Sequence, residues 1–226
     1  MDAVVVDRIP FRLDRKSFLK SLRMEGSGPY AGEIERLVGE AEAVARPKGV
    51  YGSAFVESRE GDSVVVEGVT FASRVLRVNL AGTDCVYPFV ATCGVELEEW
   101  SRAIEGTFHR YCADLIKEAA LESAVRALDD HVRETHCPGA LSMMNPGSLP
   151  DWPVSEQKNL FALFGGAVES IGVYLTEGCV MFPVKSVSGI LFPSDEGFES
   201  CQLCARQCPK RRAPYEEGLY ERKYGR

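Results

Sequence analysis

Three cysteines near the carboxyl end, Cys201, Cys204 and Cys208, stand at two- and three-residue gaps, with Pro209 and the basic run Lys210-Arg211-Arg212 directly after them. Thiolates spaced this closely can converge on one metal centre, because a short turn folds their sulfurs inward. A centre of that kind either moves electrons or braces a chain segment. Zinc usually draws four ligands from paired motifs, and no second Cys-x-x-Cys is present. A [4Fe-4S] cluster also takes four thiolates in the common case, so a fourth ligand has to come from elsewhere in the chain. Cys137, in a loop before Pro138, ranks first, followed by Cys179 and Cys93. A three-cysteine cluster with one open iron, able to bind a small ligand, is a further reading, and three unligated thiols are the plainest.

The stretch Cys204-x-x-x-Cys208-Pro209 repeats the closing part of the bacterial ferredoxin run, which puts an iron-sulfur centre ahead of zinc. The chain holds eight cysteines. In a cytoplasmic chain, clustered cysteines more often bind metal than form disulfides. Most of the five scattered ones (Cys85, Cys93, Cys112, Cys137, Cys179) read as small buried hydrophobes. Other patterns fail. Asp129-Asp130-His131-Val132-Arg133-Glu134 approaches a histidine-presenting cobalamin motif but lacks its glycine and lies inside a helix. Gly165-Gly166 is no dinucleotide loop, and there is no P-loop. The cysteine order is the reverse of the radical S-adenosylmethionine motif. His109 and His136 have no partner at ligand spacing.

These residues need elements to position them. Residues 14–46 read as two helices, broken at Gly26, Gly28 and Pro29 and closed by Pro47-Lys48-Gly49. Residues 50–92 carry β-branched and aromatic runs, including Val75-Leu76-Arg77-Val78, punctuated by Gly61, Gly68 and Gly82. They are predicted to form antiparallel strands joined by turns. Residues 94–135 are predicted helical. Over 108–135, Cys112, Ile116, Ala120, Ala124, Leu128 and Val132 fall on one face at four-residue spacing. Glu122 lies off that stripe, as a solvated residue would. Residues 137–153, rich in proline and glycine, are expected to be an irregular loop, and loops of that length are functional or flexible. A helix over 155–164 and strands near 171–174, 180–182 and 187–192 complete the core. From Pro193 the chain is polar and is expected to wrap the surface. The whole reads as one α+β unit, core 1–195, with a cysteine-rich metal-binding tail, 196–226.

The 226 residues are 45% hydrophobic and 26% charged, enough to bury a full core. A net charge of -7 argues against nucleic acid, which wants a basic face. No run reaches the roughly 18 apolar residues of a membrane span, and the start has no long apolar leader core, so the expected setting is cytoplasmic.

The segment Ile171-Gly172-Val173-Tyr174-Leu175-Thr176-Glu177-Gly178, running on through Met181-Phe182-Pro183 to Ser186-Val187-Ser188-Gly189, resembles the signature of the activation domain of cobalamin-dependent methionine synthase. Asn145-Pro146-Gly147, Trp152-Pro153 and Glu156 resemble the loop that holds S-adenosylmethionine in that family. Glu122 with Asp130-His131-Val132-Arg133 resembles one of its helices, and Ala91-Thr92-Cys93-Gly94-Val95-Glu96-Leu97 resembles a segment of stand-alone relatives. The likeness covers roughly residues 85–192. It implies a twisted antiparallel sheet with flanking helices, S-adenosylmethionine binding by Glu122, Asn145, Pro146, Gly147 and Ser148, and cobalamin supplied by a partner. That partner would be a cobalamin-dependent methionine synthase or another corrinoid protein, returned from inactive Co(II) to the methylated state by one electron and one methyl group. Two positions depart from the family: Met143 stands where its arginine precedes the Pro-Gly pair, and Ser148 where its tyrosine follows. Arginine pairs with a carboxylate through two hydrogen bonds and methionine cannot, so S-adenosylmethionine would need other donors here. The tail is foreign to that domain, and an iron-sulfur centre in it would stand in for a separate electron carrier. The rival expectations are a docking module for corrinoid proteins braced by structural zinc, and a methyltransferase for another acceptor.

Overall fold

The computed structural model describes residues 1–24, 30–195, 197–208 and 210–225. In chain order the elements are β1 (Ala3–Val6), α1 (Arg15–Ser21), α2 (Ala31–Val44), β2 (Lys48–Gly52), β3 (Ala54–Glu60), β4 (Ser63–Val66), β5 (Val69–Ala72), α3 (Arg74–Asn79), β6 (Cys85–Thr92), α4 (Val95–Arg102), α5 (Thr107–Thr135), β7 (Leu141–Met144), α6 (Gln157–Ala162), β8 (Tyr174–Leu175), β9 (Met181–Phe182) and β10 (Ser186–Pro193). All pairing among the described strands is antiparallel. The main sheet runs β1-β2-β6-β3-β4-β5, with β10 on the other edge of β6 and β7 beyond β10. A separate two-stranded ribbon pairs β8 with β9.

The central strand β6 is buried on both faces, and its alternation divides the core. Tyr87, Phe89 and Ala91 face α5 and meet its Ala124, Leu128 and Val132. Val86 and Val90 face the opposite layer, which holds Trp152, Leu160, Ile190 and Phe192. The predicted stripe on α5 is wholly buried, from Cys112 through Ile116, Ala120, Ala124 and Leu128 to Val132. Its first half packs with α1, α2 and α4 in a third cluster. Gly49 lets β2 approach α5, since a Cβ there would lie 2.6 Å from the Leu128 side chain.

Several expectations change. Val75-Leu76-Arg77-Val78 is helix α3, not strand. Ser73 caps it by accepting from the Leu76 amide at 3.0 Å, and Asp151 accepts from the Val75 amide at 2.9 Å. These caps outweigh the β-branched preference, and Val75 and Leu76 are buried all the same. The expected loop 137–153 begins with β7, because β10 offers it an edge of unpaired amides and carbonyls. Of the expected strand near 171–174 only Tyr174 pairs, in β8 with Leu175; Glu169–Ile171 is a 3-10 turn. The second of the two expected N-terminal helices ends at Val44, and Lys48 and Gly49 already belong to β2. The glycines and proline expected to part the two helices (Gly26, Gly28, Pro29) lie outside the described residues. The segment after Pro193 is not confined to the surface: Phe198 and Tyr224 are buried in the main core, and the Tyr224 hydroxyl donates to Asn79 at 2.8 Å. No helix among the described residues is long and apolar enough to cross a membrane.

Candidate functional site

Strand β7 delivers the chain to Asn145, whose amide donates to the Ser188 carbonyl of β10 at 2.8 Å. That close approach requires Gly189. A Cβ there would stand 2.4 Å from the Met144 carbonyl and 2.5 Å from the Asn145 side-chain nitrogen. Gly147 turns the chain with φ +84°, and its amide donates to the Trp152 carbonyl at 2.7 Å. The Ser148 amide closes back on the Asn145 carbonyl at 3.2 Å. Trp152, fully buried, lies edge-on to Phe71. Asp151 caps α3, and Glu156 accepts from the Ala72 amide at 3.3 Å. The loop is therefore pinned at Asn145, Asp151 and Glu156, which makes a fixed wall rather than a swinging lid.

Two cavities meet at this wall. One, about 450 Å³, lies between α5 and the sheet edge; Glu122, Arg126, Met143, Asn145, Val187 and Arg212 are among its lining residues. The other, about 380 Å³, holds Asn145, Pro146, Gly147, Ser148, Gln157 and Ser188. Asn145 and Val187 border both, so the two read as lobes of one cleft. In the second lobe the Gln157 side-chain oxygen and the Ser188 hydroxyl are buried and have no hydrogen-bond partner among the described residues. Their residues are only 6% and 2% exposed. Buried polar atoms are almost always paired, so such a pair beside a cavity fits a ligand's polar edge. The Glu122 carboxylate is exposed in the first lobe, with no hydrogen bond of its own to the described residues. It also borders a 510 Å³ cavity toward Asp14 and Ser17, which lacks comparable unpartnered buried atoms.

The tail closes over this region. Arg211 is its hub: its guanidinium donates to the carbonyls of Cys201 and Cys204, each at 2.8 Å, and to that of Arg206. The Arg212 amide donates to the Cys201 sulfur at 3.5 Å. Lys210 pairs with Glu118 of α5, a contact that, with Glu122 adding to it, holds the Lys210 ammonium above its ordinary pKa. Cys204 borders a further cavity of about 470 Å³ together with Gly147 and Ser148. Thiol loop and cleft loop are thus neighbours.

The candidate ligands for a metal are only partly gathered. Cys201 and Cys204 are half-buried and Cys208 is exposed. Among the described residues no three Cys, His, Asp or Glu side chains come together as a metal-ligand group. Cys137 is elsewhere, packed with Tyr87, Cys85 and Leu141. From Glu118, where Lys210 docks, α5 runs on to Thr135, roughly 25 Å at 1.5 Å per residue, before Cys137 is reached. Cys93 is fully buried and its thiol is pushed up to about 12 by burial. Cys179 is buried in the turn between β8 and β9. The thiol spacing and the amide aimed at the Cys201 sulfur are those of an iron-sulfur ligand run, but the three sulfurs do not stand as one ligand group among the described residues.

No protein-family profile matches this chain, and no curated protein matches it. A search of solved structures matches the crystal structure of the MetH reactivation domain bound to AdoHcy. The TM-score is 0.61 and the sequence identity 19%, over 88% of this chain and 81% of that one. The chain has the α+β fold of the methionine synthase reactivation domain, an antiparallel sheet with flanking helices. Of the expected cleft residues, Glu122 on α5 shares one cavity with Asn145, and Asn145 through Ser148 line the neighbouring one. Sequence reading passed over Gln157 and treated Arg212 only as a charge near the cysteines. Ser188 stood inside the quoted motif, but nothing in the motif marked its hydroxyl as unpartnered.

Proposed function

We propose that this protein binds S-adenosylmethionine in the cleft between Glu122 and the Asn145–Ser148 loop and serves a corrinoid protein, a cobalamin-dependent methionine synthase or a relative, in reductive reactivation. The observation that carries the reading is the pair of buried, unpartnered atoms of Gln157 and Ser188 beside that loop. A purine edge or ribose hydroxyl offers them donors and acceptors. Support of a different kind comes from the fold, since the MetH reactivation domain with the same architecture was crystallised with AdoHcy. Cobalamin would come with the partner.

In the same reading the core, 1–195, carries the cleft, and the tail, 196–226, carries an iron-sulfur centre on Cys201, Cys204 and Cys208, with its fourth position left to a small ligand. Such a centre supplies electrons one at a time. The chain's own part is to hold the loop: Arg211 fixes its carbonyls and the Arg212 amide lowers the negative charge on one sulfur. A structural zinc is the weaker alternative, because Arg211, Lys210 and Tyr224 already fasten the tail.

Calorimetry on anaerobically purified protein tests the ligand. Saturable binding of S-adenosylmethionine or S-adenosylhomocysteine is expected, weakened about tenfold or more by Gln157→Ala, the loss of one hydrogen bond to a buried group. Absence of binding by either compound would refute the reading.

A further inference from the structure

We propose that Arg212 supplies the cation that grips the α-carboxylate of the ligand, so that the thiol tail completes the binding cleft. This rests on the S-adenosylmethionine reading and adds the residue that the cleft otherwise lacks. On the sheet side of the first lobe the expected arginine is Met143, which is neutral. An amino-acid group carries an ammonium and a carboxylate side by side, so its site needs an anion and a cation. Glu122 is the anion. Arg212 reaches the same lobe from the tail, which docks on α5 through Lys210 and Glu118.

Its setting suits the task. The Arg212 backbone amide donates to the Cys201 sulfur at 3.5 Å, and its Nε is ion-paired with Glu199 at 3.1 Å. The two terminal nitrogens make no hydrogen bond to the described residues. A guanidinium fixed at Nε with both ends free presents the fork that accepts a carboxylate through two parallel bonds. Arg126 is another cation among the described residues of the lobe, but it stands one turn beyond Glu122 on the same helix, at the spacing where a carboxylate and a guanidinium are neighbours.

The experiment is calorimetry on full-length, anaerobically prepared protein. Two probes are titrated: S-adenosylhomocysteine, which carries the amino-acid group, and 5′-methylthioadenosine, which keeps the purine and thioether but lacks it. Arg212→Ala is expected to weaken S-adenosylhomocysteine roughly ten- to hundredfold, as for the loss of a charged hydrogen-bonded pair, and to leave 5′-methylthioadenosine unchanged. Arg212→Lys should fall between, and Arg126→Ala should cost less than Arg212→Ala. The Arg212 side chain is 54% exposed, so these variants should keep the unmodified protein's thermal midpoint. Unchanged S-adenosylhomocysteine binding in Arg212→Ala overturns the proposal and leaves the cleft reading intact. So does a loss produced by Arg126→Ala instead, or an equal loss of both probes in Arg212→Ala. Failure of the unmodified protein to bind either probe overturns the cleft reading itself, and this inference with it.

Discussion

Arg212 donates its backbone amide to the Cys201 sulfur at 3.5 Å and is itself among the residues lining the cavity that holds Glu122. One residue thus belongs to both candidate sites, with no intervening element. The thiol loop also meets the cleft loop at a second place, where Cys204 borders a cavity with Gly147 and Ser148.

Gly189→Ala should damage the cleft by displacing the Asn145 wall. The new methyl would press on the Met144 carbonyl and the Asn145 side chain, and a backbone carbonyl cannot rotate away. The expected cost is about 1–3 kcal/mol, read as a lower unfolding midpoint in denaturant, together with weaker S-adenosylhomocysteine binding. A variant as stable as the parent would mean that β10 and β7 do not approach as described.

The tail thiols should hold iron without Cys137. After anaerobic reconstitution with iron and sulfide, visible absorption that bleaches with dithionite is expected for the unmodified protein and for Cys137→Ala. It should be lost in Cys201→Ala, Cys204→Ala and Cys208→Ala. Full absorption in Cys204→Ala would remove the cluster from the tail, and its loss in Cys137→Ala would mean that the end of α5 moves to the tail.

Thiol reactivity should sort by depth. Cys208 is exposed, whereas burial raises the thiol pKa of Cys93, to about 12, and of Cys112. With iodoacetamide in mildly alkaline buffer, peptide mapping should find Cys208 alkylated first and Cys93 and Cys112 only after denaturation. Iron loading should slow all three tail cysteines and leave the order of the others unchanged. Native-state alkylation of Cys93 at the rate of Cys208 would contradict the packing around β6.

Glu42 should make part of the stability acid-sensitive. Burial pushes its carboxyl up, but hydrogen bonds from Arg15 and the Leu13 amide outweigh this and hold it below 4.5. A depressed carboxylate stabilises fully above its unfolded value and loses that contribution as pH falls through the folded value. Glu42→Gln should therefore cost about 1–3 kcal/mol near neutral pH, with the difference from the parent shrinking as pH drops below about 4.5. Parallel stability curves over that range, measured by thermal unfolding, would rule the clamp out.

Much of the fold was legible because its signals are local and periodic. The stripe from Cys112 to Val132 announced a helix with one buried face, and the apolar run 187–192 announced the strand that turned out to be β10. Val75–Val78 misled because propensity is weaker than a cap, and the residue that completes that cap, Asp151, lies far along the chain. The motif named Gly189 but not its reason, which is the Asn145 amide pressed against it.

By itself the chain determined the residue types on offer: three close thiols, a carboxylate off the apolar stripe, a proline-glycine turn and a basic run. These follow from spacing along the backbone, which sequence records directly. Only the tertiary structure decided which of them meet. It carried Cys137 away along α5 and set Gln157 and Ser188 unpartnered beside the Asn145 loop. It also brought Arg212 across to Glu122, because sheet pairing and tail docking join residues by distance in space, which spacing along the chain does not encode.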